Sequence, residues 1–170
     1  MAFPTLMYRK ASNRYLRMGD LVTSELSISY GDYSGQAIRC FTLGEPRPEY
    51  RALHEVALKA YHAVAAALKP GNTENDVMAA AQIIPDSGFQ VGAPVVHGWG
   101  NKPEEPLIGV KGSKEWIANP VKFEPGMFLM VEPNPCTDDL KTGVFLGNLH
   151  VVTDAGARSL QQYPLELIAL

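Results

Sequence analysis

The chain carries only two cysteines among its 170 residues, Cys40 and Cys136, and they form no Cys-x-x-Cys pair. That excludes a disulfide scaffold and a thiolate zinc knuckle, leaving two reduced, partly buried thiols. Lysine and arginine never run longer than a pair, and the net charge is −3. A nucleic-acid groove needs a basic patch, so nucleic acid is not an expected partner. No apolar run approaches the roughly 20 residues that cross a bilayer, and the opening MAFPTLMYRK has no apolar signal core. These absences make no membrane partner and a cytoplasmic location the expectation. There is also no low-complexity linker and no internal repeat. With hydrophobic residues at 46% and charged residues at 19%, one domain spanning 1–170 is expected.

What is present is a clear succession of strands and helices. Residues 19–30, GDLVTSELSISY, alternate in character. Val22, Leu26, Ile28 and Tyr30 share one face of a strand, while Thr23, Glu25, Ser27 and Ser29 share the other with Leu21. After a Gly31-Asp32 turn the chain returns as YSGQAIRCFTLG, which places Glu25 and Gln36 on neighbouring strands of one hairpin. From about Pro48 to Lys69 the residues Leu53, Val56, Ala57, Ala60, Tyr61, Val64, Ala65 and Leu68 recur at helical spacing. His54 and His62 fall off that stripe and read as solvated. Pro70 and Gly71 end the helix, Asn72 or Thr73 caps a second one through Ala81, and Pro85 and Gly88 stop it. Strands are expected around 91–97, 107–111 and 126–132, followed by a hairpin from Gly143 to Thr153.

Three apolar segments each carry one polar group: VVHGWG around His97, PGMFLMVEP around Glu132, and GVFLGNLHVVTDAG around Gly147. Such strand-borne polar groups suit side chains that converge on a cleft. Structural readings stand beside this one. His97, followed by Gly98 and Gly100, serves equally to close a strand-to-loop turn. A carboxylate at Glu132, directly after MFLMV, is costly to bury unless it is paired. Trp99 and Trp116 fit either core or rim positions, Asp20 supports the turn before the first strand, and Gly147 suits a bulge or a close approach.

The order GDLV, YSGQAIRCFTLG, helix, LKPGNTENDV, helix, HGWG, FEPGMFLMVEPNP, GVFLGNLHVVTDAG and L-x-x-YP resembles the pita-bread hydrolases. These include methionine aminopeptidase, aminopeptidase P, prolidase and creatinase. The resemblance covers nearly the whole chain from about residue 16. It implies an α+β fold, a curved antiparallel sheet with covering helices, incomplete at the N-terminus. In the metallopeptidase members it also implies five ligands for two divalent ions whose bridging hydroxide attacks the scissile carbonyl. Those ligand positions fall here on Glu25, Gln36, His97, Glu132 and Gly147. A further family histidine, which binds substrate, falls on Glu104.

The departures redirect the expected chemistry. Gln36 offers no charge and Gly147 no side chain, so the bridging carboxylates are missing and no metal cofactor is expected. The alternative is a single Zn, Mn or Fe ion held by Glu25, His97 and Glu132. Creatinase shows that the fold hydrolyses a C–N bond without metal. The resemblance therefore implies His97 and Glu132 as catalytic groups, with Glu25, Gln36 and Glu104 binding a small molecule or short peptide. The expected activity is peptidase- or creatinase-like hydrolysis of a small peptide, amide or amidine C–N bond. A non-catalytic binding or interaction module is the alternative. Because the family's domain begins earlier than this chain, a homo-oligomer or a separate N-terminal piece is expected to cover the exposed sheet.

Overall fold

The computed structural model describes residues 13–100, 103–112 and 120–170. The chain opens with a hairpin of two ten-residue strands, β1 (Leu21–Tyr30) and β2 (Tyr33–Thr42), joined through Gly31 at φ 59°. Asp20 supports the approach to β1 as expected, accepting from the Arg17 backbone N–H at 2.8 Å and pairing with Arg14 at 2.7 Å. Three helices follow: α1 (Pro48–Ala67), α2 (Glu74–Ala81) and α3 (Ile83–Asp86). Proline in the first turn of α1 sacrifices no intrahelical bond. Thr73 caps α2, its backbone N–H donating to the Asp76 carboxylate at 2.8 Å. Pro85 does not stop the chain short of helix; it sits inside the single turn of α3, where no N–H is required of it.

Among the described residues the elements after α3 are all strands: β3 (Gln90–Val91), β4 (Val96–Trp99), β5 (Pro103–Ile108), β6 (Phe128–Val131), β7 (Pro135–Cys136), β8 (Gly147–Thr153), β9 (Gly156–Ser159) and β10 (Ile168–Ala169). The main sheet runs β1-β2-β8-β6-β4-β5, with β9 beside β8 and β10 beside β2. The expected hairpin at 143–153 lies further along the chain. Its arms are β8 and β9, whereas Gly143 makes only a bridge to Cys136.

Registers decide which side chains share a face, because directly opposed residues and every second residue along a strand point the same way, whereas successive residues do not. Glu25 opposes Ile38, Ile38 opposes Gly147, Leu149 opposes Met130, and Met130 opposes His97. Stepping by two residues adds Gln36 beside Ile38 and Glu132 beside Met130. One face of the sheet thus gathers Glu25, Gln36, Gly147, Glu132 and His97 from four different strands and the end of a fifth.

The other face takes the helices. Leu53, Ala57, Ala60, Tyr61 and Val64 of α1, and Leu68 just past its end, are buried in one large core with Leu129, Val131 and Val152. A smaller cluster of Ile38, Trp99, Met130, Phe145 and Leu149 lies on the polar residues' own face. The far half of β1 escapes both cores. Leu26, Ile28, Tyr30 and Tyr33 are exposed, Ile28 at 68% and Tyr30 at 90%. His54, expected to be solvated, is half-buried, and its Nε2 lies 2.7 Å from the Leu165 carbonyl because the C-terminal segment folds back onto α1. His62 is exposed, as its position off the stripe predicts.

Candidate active site

Each polar group on the inner face is held by identifiable backbone. His97 lies in β4 beside a register shift: it opposes Leu107, while Gly98 opposes Glu104. Glu132 follows the last residue of β6, its N–H donating to the Val95 carbonyl at 2.8 Å. Asn134 then ties this strand end down. Its Oδ1 accepts from the N–H groups of Gly92 and Ala93, and its Nδ2 donates to the carbonyls of Pro94 and Glu132. A buried amide that uses both of its ends fixes the loop before β4 against the carboxylate-bearing segment.

Nε2 of His97 lies 3.3 Å from Oε2 of Glu132, both residues being about 5% exposed or less. Nδ1 of the same ring lies 2.8 Å from the Gly98 carbonyl. A carbonyl only accepts, so Nδ1 carries its proton, and the contact between Nε2 and Glu132 contains one further shared proton. Burial alone pulls the imidazole down, but the Glu132 carboxylate, the Gly98 carbonyl and the Glu25 charge together hold it above its ordinary value. Burial also pushes Glu132 up, against the opposing pull of His97. Both shifts describe a pair that retains its proton.

Glu25 and Gln36 complete the cluster. They are diagonal neighbours across β1 and β2, and Gln36 Nε2 donates to Glu25 Oε1 at 2.5 Å. Burial raises Glu25, opposed by the Gln36 bond and by His97. Trp99 proves to be a wall of the site: buried, it donates Nε1 to the Ser34 carbonyl at 3.1 Å and lies 5.8 Å from the His97 ring. Trp116 lies outside the described residues.

One expected member, Glu104, lies outside the cluster. Glu104 sits on the exposed start of β5 opposite Gly98 instead of His97, with its carboxylate beside Gly100. The β4–β5 pairing slips by two residues there, from His97 opposite Leu107 to Gly98 opposite Glu104. At Gly147 the expected close approach is severe: a Cβ there would lie 2.5 Å from the Val131 carbonyl oxygen and 3.1 Å from Glu132 Cα.

Sequence reasoning passed over a polar network on the helix side. The guanidinium of Arg39 donates to the carbonyls of Ile38, Gly147, Tyr163 and Pro164 and to Asn148 Oδ1, at 2.6–2.8 Å. Asn148 Nδ2 donates to the Tyr61 hydroxyl, which in turn lies 3.1 Å from His150 Nε2. Burial keeps His150 below its ordinary value. The available signal was an arginine and a histidine inside otherwise apolar strands.

Comparison with known proteins agrees with this architecture, residues 4–154 matching the family described as metallopeptidase family M24. The chain belongs to that family. An uncharacterized peptidase of Bacillus subtilis, YqhT, is 29% identical over 98% of this chain and 46% of its own length. A probable dipeptidase PepE of Mycobacterium tuberculosis is 30% identical over 94% of this chain and 42% of its own. Among solved structures, a dipeptidase of Pyrococcus horikoshii superposes with a TM-score of 0.84 at 26% identity, over 98% of this chain and 46% of that one. The chain is thus an M24 pita-bread fold that spans less than half the length of these relatives.

The M24 family name implies metal, and the residues present do not fit a metal pair. Gln36 supplies one neutral oxygen. Gly147 supplies no donor atom from its side chain, and the adjacent backbone leaves no room for one. Among the described residues, no three His, Cys, Asp or Glu side chains stand close enough together to hold an ion. The single-ion arrangement of Glu25, His97 and Glu132 is therefore not assembled either, since Glu25 is engaged with Gln36 and Glu132 with His97.

Proposed function

We propose that this M24 chain is a peptidase-like hydrolase of a small peptide, amide or amidine C–N bond that works without a dinuclear metal centre. The shared proton between His97 Nε2 and Glu132 carries this reading. Amide and amidine cleavage needs a proton delivered to the departing nitrogen, and a buried imidazole held above its ordinary value by its carboxylate partner is suited to supply it. His97 is the proton carrier. Glu132 holds the ring's outer nitrogen in its charged form, and Gly98 fixes the tautomer. Glu25 and Gln36 face the same space and would orient the ligand or the attacking water by hydrogen bonds.

A second reading is a binding module of the same fold that lacks turnover. The substitutions at Gln36 and Gly147 favour it, because the ions that activate water in the metallopeptidase members have no seat here. The two readings separate in one assay, in which Xaa-Pro dipeptides and small amides are incubated with the protein after chelator treatment. Turnover that survives the chelator and falls at least 100-fold in His97→Asn supports the hydrolase. Turnover that appears only after divalent metal is restored contradicts the metal-independent reading, and its absence under both conditions favours the binding module.

A further inference from the structure

The inner-face cluster is built from two halves, and the sheet between them is thin. Glu25 and Gln36 stand on β1 and β2, His97 and Glu132 on β4 and the end of β6, with β8 in between. β1 and β2 pair along their whole length, whereas β2 meets β8 through two opposed pairs, Ala37 with Asn148 and Ile38 with Gly147. Beside these pairs, side chains take over from the backbone ladder. Cys40 Sγ accepts from the Phe145 N–H at 3.3 Å. From the helix side, Nη1 of Arg39 donates to the carbonyls of both Ile38 and Gly147, at 2.7 and 2.8 Å, and so bridges one opposed pair across the joint. That pair touches both halves of the cluster. Ile38 opposes Glu25 on β1, and a Cβ on Gly147 would lie 3.1 Å from Glu132 Cα.

We propose that Arg39 is a positioning residue of the inner-face cluster: by clasping the Ile38 and Gly147 backbones from the helix side, it sets how Glu25 and Gln36 stand toward His97 and Glu132. The inference rests on reading this cluster as the ligand site, but it requires no turnover. The choice of side chain supports it. A guanidinium is costly to bury without a counter-charge, and no carboxylate is among the partners of Arg39. What it supplies instead is a rigid fork of five N–H donors, and each has an acceptor here: the carbonyls of Ile38, Gly147, Tyr163 and Pro164 and Asn148 Oδ1. Lysine has three donors on a flexible stem, and methionine fills similar space with none.

The test reads the arrangement of the cluster and not its turnover, so that a failed hydrolase assay and a failed positioning role remain distinct results. Heteronuclear NMR would follow the Gln36 side-chain amide and the His97 ring, with circular dichroism and the urea midpoint recorded for each variant. Arg39→Met should fold and move both sets of signals by more than a line width. Arg39→Lys should move them in the same direction by less, because part of the clasp returns. Val64→Ala, a truncation in the large core, should lower the urea midpoint and leave the same signals in place, which separates positioning from a general loss of stability. Asn148→Ala withdraws one acceptor and keeps the arginine, so it should give a smaller shift in the same direction, and it carries the test if neither Arg39 variant folds. Unmoved signals in a folded Arg39→Met, or in Asn148→Ala where the Arg39 variants do not fold, would overturn the inference. Shifts in Val64→Ala as large as those in Arg39→Met would overturn it too.

Discussion

Nε2 of His97 and Oε2 of Glu132 stand 3.3 Å apart at the junction of β4 with the end of β6, enclosed on both sides. The imidazole should accordingly titrate above the ordinary histidine value, whereas burial holds His54 and His150 below it. A proton-observed NMR titration of the four histidines checks this order. If His97 were the first to lose its proton as pH rises, the shared-proton assignment would be wrong.

The same shifts have a sign in stability. His97 is raised in the folded state, so its contribution is fully present below its unfolded value of about 6.5 and is lost as pH rises through the folded value. Glu132 is also raised, and it too makes the folded state less stable as pH climbs above the unfolded carboxylate value of about 4.3. The melting temperature should thus decline on the alkaline side, and His97→Asn should flatten that decline. His150 works in the opposite sense. Its lowered value means stability is lost as pH falls below about 6.5, a loss that His150→Gln should reduce.

Truncating one member of the buried pair strands the other. His97→Ala leaves the Glu132 carboxylate 4% exposed without its partner and should cost about 3 kcal/mol in urea unfolding. The double variant with Glu132→Gln should cost less than the sum of the two single changes, because the charge left without a partner is also removed. Strict additivity would show that the two side chains do not interact in solution.

Gly147 is an exacting position. Gly147→Ala presses a methyl group onto the Val131 carbonyl and the Met130 side chain and should destabilise by about 1–3 kcal/mol. Gly147→Glu should be worse and should not create a metal site, as elemental analysis after dialysis against zinc or manganese would reveal. Gly35→Ala on β2, where a Cβ meets nothing within 4 Å, is the matched control and should be close to neutral.

The outer side of β1 predicts association. Leu26, Ile28 and Tyr30 form an exposed apolar strip on an edge strand, extended by Tyr33 of β2 opposite Tyr30, and among the described residues β1 pairs only with β2. The 170-residue chain should sediment as a dimer or larger species at micromolar concentration, and Ile28→Lys should shift it toward monomer. A monomer that is well folded and indifferent to this change would refute the expectation.

The placement of Glu25, Gln36, His97 and Glu132 on one face was legible because strand alternation is a local property, and a few polar residues in apolar strands carry strong contrast. Gly147 was legible only as a choice between bulge and close packing, since the deciding contact is with a backbone on another strand. Glu104 was misplaced for a related reason. In a regular ladder Gly98 would oppose Pro106, but it opposes Glu104, a two-residue slip in the β4–β5 pairing that no residue type in HGWG announces. His54 was misread because its partner is the Leu165 carbonyl, far away along the chain. The network of Arg39, Tyr61, Asn148 and His150 likewise depends on contacts between residues about 90–110 positions apart.

The bond from Arg39 to Asn148 spans 109 positions and fastens β2 to β8, which is made long after it. During synthesis, the half of the cluster on β1 and β2 exists long before the residues that join it to His97 and Glu132. Closing so long a loop is entropically slow, and until it closes the acidic hairpin waits with both of its surfaces wet. Assembly of the cluster is therefore a late event in folding. A ribosome stalled before Asn148 would present the Glu25 hairpin and the His97 segment as two unconnected pieces, with no shared site between them.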